Sequence, residues 1–378
     1  MKFLFASDSF KGSLSSRKSG ELLSQAAAEV FVGCTAQAIP MADGGEGTME
    51  AMVSALSGTI RTVLVRGPLG DPVEACYGIL PGNTAIVEMA EASGLCLVPE
   101  EKRSPWEAGS WGTGELLADA LDQGMKSIIL AIGGSATNDG GLGALSALGI
   151  RFKDLDGNLL CGRGCDLERV AQVDCSGLHP AAAGASFTVM CDVDNPLLGP
   201  DGATMTFGPQ KGADPAMLEK LERGMENFAS RSHRDLAAFP GAGAAGGMGF
   251  AMKAFLGADL KSGVETVLDL LEFDRLLEDV DLVVTGEGRL DWQSARGKVV
   301  SGVAGRCRKK GVPVLALVGG LGPGAERIYE CGVSGLFALP DGPASLSDLM
   351  ERAPELYLNA ARRMFRILRT GCDLAKKG

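Results

Sequence analysis

An apolar, β-branched run that ends in paired glycines constrains this chain most. Residues 128–143 read IILAIGGSATNDGGLG. A strand that stops at such a loop turns bare backbone N–H groups toward one point, a geometry that suits a bound phosphate. Three further segments share the character: MADGGEGT from Met41, FGPQKGA from Phe207 and TGEGRLDWQS from Thr285. Gly occurs 54 times in 378 residues, roughly twice the usual share of about 7%. These glycines cluster at the ends of apolar runs, where turns and ligand loops sit. The pattern fits a nucleotide-dependent enzyme better than a scaffold.

The order of elements predicts an α/β protein with a split domain. Strands are expected at 2–6 and 35–39, with helices over 15–31 and 48–56. Leu14, Leu22, Ala26 and Val30 share one helical face, and Ser13, Ser15 or Ser16 can cap it. This β-α-β-α alternation favours a parallel sheet. Strands at 59–65, 73–79 and 85–88 then follow one another without helices, which predicts antiparallel or mixed pairing in a second domain. Strands at 127–132 and 187–191 come later, with helices at 114–123, 143–148, 215–229, 247–256, 264–271 and 273–277. The first pattern returns with strands at 282–285, 312–318 and 335–339 and helices at 301–310 and 346–368, the last broken at Pro354. The expected organisation is a flavodoxin-like, Rossmann-like parallel-sheet domain from residues 1–62 and 280–378. An inserted α/β domain with a mixed sheet spans 63–279.

Several function classes are set aside. The net charge is −11 with no long basic run, so nucleic acid is not an expected partner. No apolar stretch approaches the roughly 20 residues of a membrane span, and MKFLFASDSF at the N-terminus suits a first strand rather than a signal peptide. The ten cysteines contain no Cys-x-x-Cys and fit reduced core residues of a cytoplasmic protein. Two histidines, His179 and His233, stand in polar segments, which argues against a His-based zinc site or a Ser-His-Asp triad. Gly241, Gly243 and Gly246 form a literal G-x-G-x-x-G, but AAFP precedes it where a dinucleotide fingerprint needs a buried strand. A flexible or ligand-covering loop before a helix is the better account. No P-loop sequence occurs.

The chemistry-bearing residues stand at strand ends, where open α/β sheets bind ligands. Asp8, Ser9, Lys11 and Ser13 fall in one turn, and Lys11 can hold a carboxylate or phosphate. A solvated lysine beside a helix start is the plainer alternative. Asp43 and Glu46 stand at a helix N-terminus, where acids serve as dipole partners or, in a glycine bend, as magnesium ligands. Asp192 and Asp194 follow an apolar strand, and an aspartate so placed suits a general base. Glu287 and Asp291 form a further acidic pair. Lys211 and Lys298 can neutralise phosphate charge. Acids, lysines and glycine bends with almost no His fit phosphoryl transfer, which needs positioning, a metal and charge neutralisation.

Seven segments, DSFKGSLSS, PMADGGEGT, GGSATNDGGLG, CDVDNPLLG, FGPQKGA, GAAGGMGF and DLVVTGEGRLDWQS, resemble in this order the signatures of the bacterial type I glycerate kinases. The resemblance runs from Asp8 to beyond Lys298. It implies ATP-dependent phosphorylation of D-glycerate with Mg2+, in glyoxylate or sugar-acid catabolism. It also implies two α/β domains with the active site in a cleft between them. The resemblance does not assign a role to each residue; on physical grounds Lys11, also a candidate catalytic residue, and Ser9 hold the substrate carboxylate, with Asp8 and Glu287 beside it. Asp192 accepts the hydroxyl proton. Gly133, Gly134, Ser135, Thr137, Asn138 and Lys211 cradle phosphates, and Asp43 or Asp139 holds magnesium. The 2-phosphate is favoured over the 3-phosphate as product. The alternatives are a kinase of a related small hydroxy acid, such as tartronate, or a non-catalytic sensor of the acid. The sequence carries no signal of oligomeric state.

Overall fold

The computed structural model describes residues 1–295 and 297–377. The chain forms two compact units. One comprises Met1–Asp43 with Val264–Gly378 and the other Gly44–Gly263. The chain leaves the first unit earlier than residue 62, the crossing expected from sequence. The helix Thr48–Ala55 packs on the strands of the second unit, where Met49 and Val53 lie against Gly78. It re-enters before residue 280, because Val264 packs on Gly302 of the helix Val299–Lys310.

The split unit carries a five-stranded, all-parallel sheet. Its order is Gly335–Ala338, Val314–Val318, Leu282–Gly286, Lys2–Ser7 and Thr35–Ala38. Lys2–Ser7 pairs on both sides, with Phe3 opposite Leu282 and Ala36. Its residues from Phe3 to Ala6 are buried, which suits a strand covered on both faces. Phe3 and Phe5 point one way, as alternate strand residues must. They meet Phe365 of the helix Ala353–Ala375, and Phe3 also meets Phe31, the residue that ends the helix Ser16–Val30. The Phe3 ring stands edge-on to Phe31 at 5.4 Å. Ser15 is the cap of the first of these helices, its hydroxyl accepting from the Lys18 N–H. The C-terminal helical stretch breaks at Arg352, which leaves Pro354 in the first turn of its second half, where a missing N–H costs nothing. Since every strand runs the same way, Asp8, Glu287, Gly319 and Leu339 all emerge at one edge of the sheet.

The Gly44–Gly263 unit carries the mixed sheet. Its order is Asp259–Lys261, Ser186–Met190, Ser127–Ala131, Thr84–Glu88, Pro72–Leu80 and Thr59–Arg66. The first four strands are parallel and the last two antiparallel. Tyr77, Val87, Leu116, Leu130, Val189 and Met248 lie in its core. A second cluster gathers Phe152, Phe228 and Phe250 around the helix Pro215–Arg231. The α/β class, the parallel sheet and the mixed sheet are as the sequence predicts. The cysteines are not: among the described residues all are free, but only Cys307 is buried, and Cys96, Cys161 and Cys175 are exposed. No helix among the described residues is long and apolar enough to cross a membrane.

Candidate active site

At the carboxyl edge of the parallel sheet lies a cavity of about 440 Å³. Asp8, Ser9, Lys11, Asp43, Glu287, Arg289 and Lys298 supply its polar lining. The strand Lys2–Ser7 delivers Asp8 there, and the Asp8 N–H donates to the Gly286 carbonyl at 2.8 Å, which ties the neighbouring strand ends together. Asp8 is only 9% exposed. Burial pushes its pKa up to about 7, helped by the nearby Asp43 and Glu287 carboxylates and opposed by the Ser9 N–H and by Lys11. Glu287 is 5% exposed, and burial raises its pKa as well. Its Oε1 is buried without a hydrogen-bond partner. Lys11 is exposed and Ser9 and Asp43 half-buried. The cavity thus brings together the Asp8, Ser9, Lys11, Asp43 and Glu287 of the sequence reading. Arg289 and the apolar lining residues Leu339, Leu346, Leu349 and Met350 were not anticipated.

The Gly44–Gly263 unit holds the glycine loop after the strand Ser127–Ala131. Gly133 and Gly134 are exposed, whereas Ser135, Thr137, Asn138 and Asp139 are buried. Lys211 is buried too, at 2% exposure, and its Nζ donates to the Ser135 hydroxyl at 2.9 Å and the Thr137 carbonyl at 2.6 Å. Burial pulls its pKa down to about 7, against the pull of Asp139 in the other direction. Lys211 therefore braces the loop from inside. Asn138 donates to the Thr204 hydroxyl at 3.1 Å, and Asn138 Oδ1 and Thr137 Oγ1 are buried without partners. The exposed part of the loop is the Gly133–Gly134 turn.

Asp139 and Asp192 sit in contrasting surroundings. Asp139 is fully buried and accepts four hydrogen bonds: from the Ser110 N–H at 2.8 Å, the Ser110 hydroxyl at 2.7 Å, the Gly141 N–H at 3.0 Å and the Gly143 N–H at 3.2 Å. Its oxygens are committed to the loop, so it does not fit a magnesium ligand. Burial still raises its pKa against those donors. Asp192 is exposed, and its Oδ1 accepts from the Gly263 N–H at 3.0 Å. It stands at the surface, whereas Asp8 is buried at its strand end. The glycines of the G-x-G-x-x-G segment serve packing. Ala245, Gly246 and Gly247 all have positive φ, and the Gly246 carbonyl accepts from the Gly140 N–H at 2.9 Å.

Glu88 escaped the sequence reading. Its carboxylate accepts from the Met49 N–H at 2.7 Å and the Gly47 N–H at 3.4 Å, capping the helix Thr48–Ala55 that opens after ADGGEGT. An acid closing an apolar strand run was the available signal.

Residues 3–369 match the model of the glycerate kinase family. The chain belongs to the glycerate kinase family. A glycerate kinase of Bacillus subtilis is 44% identical over 367 residues, covering 96% of each chain. A glycerate 2-kinase of Escherichia coli is 43% identical over 376 residues, covering 98% of this chain and 99% of its own. A crystal structure of a putative glycerate kinase 2 from Salmonella typhimurium superposes with a TM-score of 0.90 at 43% identity, covering 99% of both chains. The glycerate kinase family is one of phosphotransferases with an alcohol acceptor, and the expectation of an enzyme of this class stands.

Proposed function

We propose that this protein transfers the γ-phosphoryl group of ATP to D-glycerate, with the 2-phosphate as product rather than the 3-phosphate, in the catabolism of small organic acids. The observation that carries the reading is the Asp8 carboxyl, buried at a strand end in a cavity that also holds Lys11, Arg289 and Lys298. Lys11 and Ser9 hold the substrate carboxylate. Asp8, rather than Asp192, takes the hydroxyl proton as the oxygen bonds to phosphorus and the bond to ADP breaks. A carboxyl poised at about 7 is matched to a base working near neutrality. The exposed Gly133–Gly134 turn offers backbone N–H groups to phosphate oxygens.

The residues fit magnesium, which takes one or two carboxylates and shares the phosphate oxygens of its substrate. Among the described residues no cluster of three or more His, Cys, Asp or Glu is arranged to cage a metal, and Glu287 Oε1 is a buried acceptor left open. Asp43 and Glu287 would hold the ion, which would supply charge neutralisation at the phosphates.

A coupled assay of ADP release with D-glycerate, L-glycerate and tartronate tests the reading. Turnover with D-glycerate at the highest kcat/KM is expected. Faster turnover with tartronate would reassign the substrate, and no ADP release with any acid would reject the kinase reading.

A further inference from the structure

The cavity at the edge of the parallel sheet has two chemically distinct halves. One is the charged half formed by Asp8, Lys11, Asp43, Glu287, Arg289 and Lys298. The other is apolar, formed by Leu339, Leu346, Leu349, Met350 and Leu356. A three-carbon acid carries almost no apolar surface and cannot use the second half. Cavities of roughly 300–1,000 Å³ accept ligands of drug size, and this one has about 440 Å³.

The rim of the apolar half stands open. Leu346 is 73% exposed and Met350 37% exposed, although large apolar side chains at a cavity mouth gain by being covered. Their helix, Leu346–Glu351, is fixed at its start by the Ser345 hydroxyl, which accepts from the Asp348 N–H at 3.2 Å. On the other side Gly12 has φ +78°, and a Cβ there would lie 2.9 Å from Met350 Cε. The bare glycine lets the Asp8–Ser13 turn lie against Met350 without displacing it.

We propose that this apolar half is the base site for the nucleotide: Leu346, Leu349 and Met350 receive the purine ring and ribose of ATP, and the phosphates run toward Arg289 and Lys298. An aromatic base matches the wall because thioether sulfur and branched aliphatic carbons pack well on a π face. A polyanionic tail matches the cationic groups of the charged half. The assignment rests on the kinase reading above and extends it to the recognition of the donor.

Calorimetric titration of the whole protein with ADP, and separately with tripolyphosphate, tests it without turnover. In the Leu346→Gln, Met350→Gln double variant the Kd for ADP should rise at least tenfold. Tripolyphosphate binding and the KM for D-glycerate should stay within twofold, and the far-ultraviolet dichroism and Tm should match the parent. An unchanged ADP Kd in the folded variant overturns the base site. So does a loss of tripolyphosphate or glycerate binding equal to the loss of ADP binding. Should the variant fail to fold, Leu346→Gln alone provides the same comparison, since that side chain stands largely in solvent. A parent protein that turns over no acid fails the kinase reading instead, a result distinct from either.

Discussion

Lys211 reaches Ser135 across 76 residues of chain, its ammonium 2.9 Å from the serine hydroxyl oxygen and buried at 2% exposure. The serine oxygen accepts that bond, which leaves its own proton to point elsewhere. Replacing Lys211 with Ala should leave Ser135 and the Thr137 carbonyl without their donor. A loss of about 2–4 kcal/mol in urea unfolding is expected, the sum of a cavity and stranded acceptors. The pH dependence carries a sign. The folded pKa lies at about 7, below that of an unfolded lysine. The unfolded chain therefore binds more protons above pH 7, and stability rises with pH from about 7 toward the unfolded lysine value. Lys211→Met should flatten that rise. A slope unchanged in the variant would separate Lys211 from it.

Asp8→Asn should lower kcat by roughly 100-fold or more, the usual worth of a positioned base. Asp192→Asn should change kcat by less than about threefold, since that side chain is exposed and caps Gly263. With Asp8 titrating at about 7, kcat should fall as the pH drops through that value and the base takes up a proton. In the fold the sign runs against the carboxylate. A raised pKa means the folded state binds the proton more tightly, so this contribution is lost as pH rises through 7. Asp8→Asn should thus raise Tm at pH 8 while it removes activity. Steady-state kinetics and thermal unfolding on the two variants check both.

Asp139 and Asp43 should separate in their response to magnesium. Asp139→Ala strands four donors in the glycine loop and should cost about 3–5 kcal/mol, as for other buried charges removed from their partners. The apparent magnesium affinity of the folded fraction should hold. Asp43→Asn should weaken that affinity about tenfold or more with little change in urea midpoint. Magnesium titrations of ADP release read the difference, and the opposite pattern would return Asp139 to the metal.

Gly246→Ala should be among the most damaging single changes in the second unit. The residue has φ +68°, and a Cβ would stand 2.1 Å from the Thr137 carbonyl oxygen. The Thr137–Gly140 backbone would have to move, at a cost of about 3 kcal/mol or more from strain and overpacking together. Gly305→Ala, on the helix Val299–Lys310 with open space around its Cβ, should be neutral or slightly stabilising. A thermal shift series compares the two.

The sheets were legible because apolar β-branched runs and glycine stops are local signals. The strand at 312–318 lost only its first two residues, Pro313 being one that cannot donate to a ladder. The cavity acids were legible for the same reason, each standing just past a strand. The distinction between Asp8 and Asp192 was not. Both follow apolar strands, and only the fold buries one in a cavity and turns the other outward. Asp139 and Lys211 looked like ligand residues because their partners are remote. Ser110 stands 29 residues from Asp139, and the Thr137 carbonyl 74 from Lys211. Leu346 and Met350 fall in a stretch expected only to be helical, and nothing local marks them as a cavity wall.

Phosphorus NMR of the product formed from ATP and D-glycerate tests the central claim most directly. A new resonance coupled to the single C2 proton, the signature of the 2-phosphate, is the result expected for the parent protein and should vanish with Asp8→Asn. Coupling to a methylene pair, the signature of the 3-phosphate, would contradict the assigned product, and unconsumed ATP would contradict the account as a whole.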